Sequence, residues 1–107
     1  MSEIKTGETG VTLINTFMVA PEKADELVAL LDNATDEVMR DMPGFLSANI
    51  HKSLDGTRVV NYAQWRSKQD FEAMRANPEA APHMQKAAAI AERFEPVLYD
   101  VVSVHDG

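Results

Sequence analysis

The chain has no cysteine among its 107 residues. That excludes disulfides, thiolate metal sites and a cysteine nucleophile, and leaves the redox compartment open. Glycine and proline are sparse at five each, so the positions that carry them mark breaks between elements. No stretch approaches the eighteen or so apolar residues that a membrane-spanning helix needs. Basic residues are in the minority, ten against seventeen acidic, giving a net charge of −7. A surface of that sign repels phosphate backbones, so nucleic acid is excluded as a partner. There is no glycine-rich phosphate loop, no G-x-S-x-G and no dinucleotide fingerprint. The three histidines lack metal-ligand spacing, and His51 and His105 read as surface residues near strand ends.

Apolar residues make up 45% of the chain, an ordinary share for a globular domain. A chain of this length buries roughly two-thirds of its unfolded surface, enough for one core. Residues 1–10 are polar with two glycines and read as a flexible arm without a secretory signal core, which predicts a cytoplasmic protein. Residues 11–107 form the single folded domain.

Within that domain, Val11 to Val19 is β-branched and apolar and predicts a strand. Pro21 suits the first turn of a helix, and Ala24, Leu27, Leu31, Ala34 and Val38 make one helical stripe after it. Pro43 and Gly44 end that helix. Phe45 to Lys52 and Arg58 to Trp65 are two strands joined by an Asp55-Gly56 turn, an antiparallel hairpin. Ser67 caps the next helix with Asp70 three residues on. Asn77-Pro78 interrupts it, and a second helical piece runs from about Pro82 to Arg93, with His83, Ala87, Ile90 and Phe94 on one stripe. Val97 to Val104 is the last strand. The order β-α-β-β-α-β predicts an α+β, ferredoxin-like sandwich with strand order 4-1-3-2 and the helices on one face. The other face would present Ile14, Met18, Val60, Tyr62, Leu98 and Val102. Monomers rarely leave such a surface bare, and an isologous homodimer packed sheet to sheet covers it.

Alternation places Asn15, Asn61 and Trp65 on the helix side of the two central strands. Asparagine is depleted in strands, and a buried amide without a partner costs on the order of 1–3 kcal/mol. Two such residues side by side, facing the core, are either satisfied by each other and by helix ends or kept for a ligand. Asn61 and Trp65 are four residues apart, roughly 13 Å along a strand. That span suits a flat molecule of several fused rings, with Leu13, Phe17, Phe71, Met74, Met84 and Ile90 as walls. His83 on its apolar stripe reads as a partly buried core histidine or as a residue facing the same space.

The segments Leu13-Ile14-Asn15-Thr16-Phe17, Pro43-Gly44-Phe45 and Val60-Asn61-Tyr62-Ala63-Gln64-Trp65, with Ser67 and Phe71 after them, resemble the antibiotic biosynthesis monooxygenase family. The resemblance implies a dimeric α+β barrel. The combination of Asn15, Asn61 and Trp65 is similar to that of the cofactor-free members, which oxidise anthrone-type or naphthacenone-type rings to quinones with O₂. It implies catalytic roles for those three residues, a small aromatic substrate, and no metal or flavin. A haem-degrading branch shares an asparagine on the first strand, a tryptophan closing the third and a histidine on the second helical region. On that alternative Asn15, Trp65 and His83 would serve haem. His83 is displaced by one residue from the matching position, and Asn61 belongs to the quinone-forming pattern. A non-catalytic dimeric binding module of the same fold is the third reading.

Overall fold

The computed structural model describes residues 10–107; the arm predicted over residues 1–10 therefore lies almost wholly outside the described residues. Four strands form one antiparallel sheet: β1 (Val11–Met18), β2 (Phe45–Lys52), β3 (Arg58–Trp65) and β4 (Arg93–Tyr99). Their order is β2-β3-β1-β4, the arrangement expected from the sequence. Three helices, α1 (Ala24–Glu37), α2 (Lys68–Arg75) and α3 (Ala81–Ile90), complete the α+β ferredoxin-like sandwich.

The local chemistry explains most boundaries. Pro21 opens a single 3-10 turn, and the α-helix proper starts at Ala24. Gly44 takes φ +83 in the turn before β2, a conformation that side chains with a Cβ rarely adopt. The β2–β3 connection folds around Asp55, whose carboxylate accepts from the Ser53 hydroxyl at 2.8 Å, the Thr57 hydroxyl at 2.7 Å and the Thr57 N–H at 3.0 Å. These bonds hold the Asp55 carboxyl down to about 2. The Ser67 hydroxyl accepts the Asp70 N–H at 3.1 Å and caps α2. The Asp70 carboxylate in turn receives the Arg66 guanidinium at 2.9 Å.

The last part of the chain departs from expectation. α3 ends at Ile90, and β4 begins at Arg93, four residues before the predicted start. Phe94 therefore belongs to β4 and not to a helical stripe. Pro96 sits inside this strand opposite Asn15. A proline is tolerated there because β4 is an edge strand, paired only with β1. The register pairs Leu98 with Leu13 and Val97 with Ile14, so Leu98 packs on the helix side. Val97 and Tyr99 point to the open face, each a little under half exposed. Val102 lies beyond β4. The open face thus carries Ile14, Met18, Val60 and Tyr62 as predicted, with Val97 and Tyr99 in place of Leu98 and Val102.

The core on the helix side has two lobes. One gathers Leu13, Ala63, Trp65, Phe71 and Met74; the other gathers Phe17, Leu27, Val59 and Ala87. On the central strands the paired rows read Leu13–Ala63, Asn15–Asn61 and Phe17–Val59. The asparagine row is the polar seam at which the apolar core divides.

Candidate functional site

A cavity of about 320 Å³ opens at that seam, within the size range of small-molecule sites. Its floor is the sheet: Leu13, Asn15 and Phe17 from β1, Ala63, Asn61 and Trp65 from β3. Its roof comes from the helices, including Leu31 and Thr35 of α1, Phe71 and Met74 of α2, and His83 and Met84 of α3. The walls are mostly apolar.

Asn15 and Asn61 are directly paired across β1 and β3, which places their side chains next to each other on one face. The amide oxygens of both, and the indole Nε1 of Trp65, are buried and have no hydrogen-bond partner among the described residues. Buried polar atoms in folded proteins are nearly always satisfied. Three such atoms share one cavity wall, where a ligand could meet them, and they do not hydrogen-bond to each other or to helix ends among the described residues. Each amide offers both an acceptor and a donor, and rotation about its terminal bond exchanges them. The indole supplies a fixed donor.

Trp65 is 2% exposed and is held by its neighbours. Phe45 meets it edge to face at 5.5 Å between centroids, and Phe71 packs on it at 6.2 Å with planes 69° apart. Such aromatic pairs fix ring orientation. The indole N–H is therefore aimed by packing, without any hydrogen bond to hold it.

Of the residues named from the sequence, Asn15, Asn61, Trp65, Leu13, Phe17, Phe71, Met74, His83 and Met84 all line this cavity. Ile90 does not. It packs at the margin of the second lobe, beside Phe17 and Leu27, while Ala87 and Ala88 of the same last turn of α3 line the cavity. Thr35 and Arg75 line the cavity without having been singled out. The Thr35 hydroxyl donates to the Leu31 carbonyl at 2.9 Å within α1. The Arg75 guanidinium lies over the Phe71 ring, 5.8 Å from its centroid. Among the described residues no cluster of three or more histidine, aspartate or glutamate side chains is arranged to hold a metal ion, and no helix is long and apolar enough to cross a membrane.

The family model for antibiotic biosynthesis monooxygenases matches residues 10–90. The chain belongs to that family. It is 46% identical over 101 residues to the tetracenomycin-F1 monooxygenase of Streptomyces glaucescens, covering 94% of this chain and 89% of the relative. Among solved structures it superposes with a TM-score of 0.84 on the monooxygenase ActVA-Orf6 of Streptomyces coelicolor, in complex with nanaomycin D. That pair is 33% identical, covering 92% of this chain and 93% of the other. SnoaB of Streptomyces nogalater, described as a cofactor-independent oxygenase, shares the fold with a TM-score of 0.74 at 24% identity, over 90% of this chain and 96% of that one. The matched segment of the family model includes every polar residue of the cavity named above.

Proposed function

We propose that this monooxygenase converts a phenolic, polycyclic aromatic substrate of the anthrone or naphthacenone type into a quinone, using O₂ and no metal, haem or flavin. The observation that carries the proposal is the set of three unpartnered polar atoms, on Asn15, Asn61 and Trp65, on one wall of an apolar cavity. A relative that acts on tetracenomycin F1 and another bound to nanaomycin D support an aromatic polyketide as the substrate class.

The chemistry follows from the substrate's acidity. A ring CH₂ flanked by two aromatic rings and para to a carbonyl loses a proton to give a delocalised enolate. The enolate passes one electron to O₂, and the two radicals combine to a peroxide anion, which takes up the proton lost in the first step to become a hydroperoxide. Loss of water leaves a carbonyl where the CH₂ stood, so CH₂ and O₂ become C=O and H₂O. Asn15 and Asn61, turned so that their amide N–H groups face the substrate, and the indole N–H of Trp65 donate to the negative oxygen as it develops. One donor of this kind in a site sheltered from water is worth roughly a hundredfold to a thousandfold in rate. His83 at the helix-side wall is the candidate base, since its imidazole lines the cavity and a ring nitrogen can accept a proton.

A second copy of the chain completes the picture on the opposite face. Val97 and Tyr99 are exposed there beside Ile14, Val60 and Tyr62, and sheet-to-sheet pairing into a homodimer covers them. The deciding experiment for the activity is oxygen uptake by metal-free protein with dithranol, a dihydroxyanthrone, read together with quinone absorbance. Asn61→Ala and Trp65→Phe each lower turnover at least tenfold; full turnover by both would overturn the assignment. A Soret band on mixing the protein with haemin would favour the haem alternative.

A further inference from the structure

We propose that Phe45 is a positioning residue for the reaction: it holds the Trp65 indole in the orientation from which its N–H serves the cavity. The inference rests on the reading that this N–H donates to the substrate, and it gives Phe45 a task beyond filling the core. The starting point is an irregularity in β2. Phe45 pairs with Trp65 and Ser47 with Gln64, which leaves Leu46 as an extra residue, a β-bulge. Ala48, opposite Ala63, packs on the helix side. Plain alternation from Ala48 would put Leu46 on that side and turn Phe45 to the open face. The inserted residue reverses this. Leu46 is 59% exposed, and Phe45 packs into the lobe that holds Trp65, Leu13 and Ala63. Bulges of this kind re-aim a side chain, and they recur beside active sites.

The backbone around the re-aimed ring is tied down. The Phe45 N–H donates to the Met42 carbonyl at 3.2 Å, and the Arg66 N–H donates to the Gly44 carbonyl at 2.7 Å. The neighbour of Phe45 is thus bonded to the neighbour of Trp65. The two rings lie 5.5 Å apart and nearly perpendicular, at 88°, a favoured arrangement for an aromatic pair. Trp65 depends on such contacts. Its Nε1 is buried without a partner among the described residues, so no hydrogen bond resists rotation of the indole. Phe71, the other ring against Trp65, is carried by α2. Phe45 is carried by the strand paired with β3, so its place relative to Trp65 is set by the sheet itself. Precise placement matters because a shift of about 1 Å in a catalytic group can cost roughly a hundredfold in rate.

The test compares Phe45→Leu, which stays apolar but loses the ring, with Phe45→Tyr, which keeps it. With dithranol, Phe45→Leu lowers kcat roughly tenfold and leaves KM within about twofold, the scale of one edge-to-face aromatic pair. Phe45→Tyr recovers most of the loss. In a Trp65→Phe background the N–H is already gone, and there Phe45→Leu changes the residual kcat by less than about twofold, because residues that act through one another are not additive. Trp65 is the sole tryptophan and supplies a reading without turnover. In ligand-free protein its fluorescence anisotropy decay gains a fast component in Phe45→Leu and not in Phe45→Tyr. A rise in KM alone would make Phe45 a cavity wall, and an equal loss of kcat in both backgrounds would make it part of the fold only. Either result, an unchanged kcat, or an unaltered anisotropy decay in Phe45→Leu would overturn the inference. Failure of the oxygenase reading would appear separately, as absent oxygen uptake by the unsubstituted protein with dithranol, and the anisotropy decay would still decide whether Phe45 holds the indole.

Discussion

Replacing Asn61 by leucine should make the protein more stable and nearly inactive. The amide oxygen of Asn61 is buried without a partner, and an unmet polar group of this kind costs about 1–3 kcal/mol. Asn61 is only half-buried overall, which favours the lower end, about 1 kcal/mol. Leucine removes the orphan, suits a central strand better, and carries the same number of side-chain heavy atoms as asparagine, so nothing has to move. For a chain of this size 1 kcal/mol corresponds to a rise of about 4–8 °C in Tm. The same substitution removes one of the three polar groups facing the substrate, so oxygen uptake with dithranol falls roughly a hundredfold or more. Calorimetry at one fixed protein concentration reads the first effect, since association shifts Tm by mass action. A fall in Tm would refute the reasoning. It would mean that the amide is satisfied in the native state and is there for the fold, leaving no reason to read the seam as a site.

Three further outcomes can be checked. Gly44→Ala is destabilising by about 1–3 kcal/mol in urea unfolding, because φ is +83 and the new Cβ would run into the Asp70 carboxyl group beneath the α2 cap; a neutral result would show that the turn before β2 is soft. The Asp55 carboxyl titrates near pH 2 in a chemical-shift experiment, driven first by the Thr57 hydroxyl and then by the Thr57 N–H and Ser53. Its folded value is depressed, so the hairpin's contribution is present above the unfolded carboxylate range near 4 and is lost as the pH falls through about 2; a midpoint near 4 would contradict the turn geometry. Val97→Glu places a charge on the apolar open face of the edge strand β4 and, on the proposed sheet-to-sheet dimer, shifts sedimentation from dimer to monomer at micromolar concentration, since an unpaired charge in a covered apolar surface costs several kcal/mol; unchanged sedimentation would move the association surface elsewhere.

The first two-thirds of the chain was readable because several signals agree at each boundary. Alternation, β-branched content and the Pro43-Gly44 and Asp55-Gly56 breaks all locate β1, β2 and β3, and Ser67 with Asp70 marks the start of α2. The asparagine pair was legible for a related reason: two amides at matching parity on neighbouring strands conflict with strand propensity and with burial together. β4 was displaced because its first half, Arg93 to Pro96, is charged and holds a proline, features that count against a central strand and not against an edge. Its facing was undecidable because Leu98 and Val102 on one parity are as apolar as Val97 and Tyr99 on the other, so only the pairing with β1 settles which side is inward. Arg75 and Thr35 gave no signal at all. An arginine in the last turn of a helix looks like any solvated residue, and its place at the rim is fixed by how α1, α2 and α3 meet above the sheet.

The division between floor and roof has a practical side. The atoms proposed to stabilise charge hang from two hydrogen-bonded central strands, where backbone position is hardest to perturb. The surfaces that decide which molecule fits belong to three short helices connected by loops. Reshaping the roof through Thr35, Met74, Arg75 or Met84 would retarget the catalyst to differently substituted ring systems while leaving the proposed catalytic trio in place. For anyone wishing to redirect it, the helices are the part to randomise and the strands the part to leave alone.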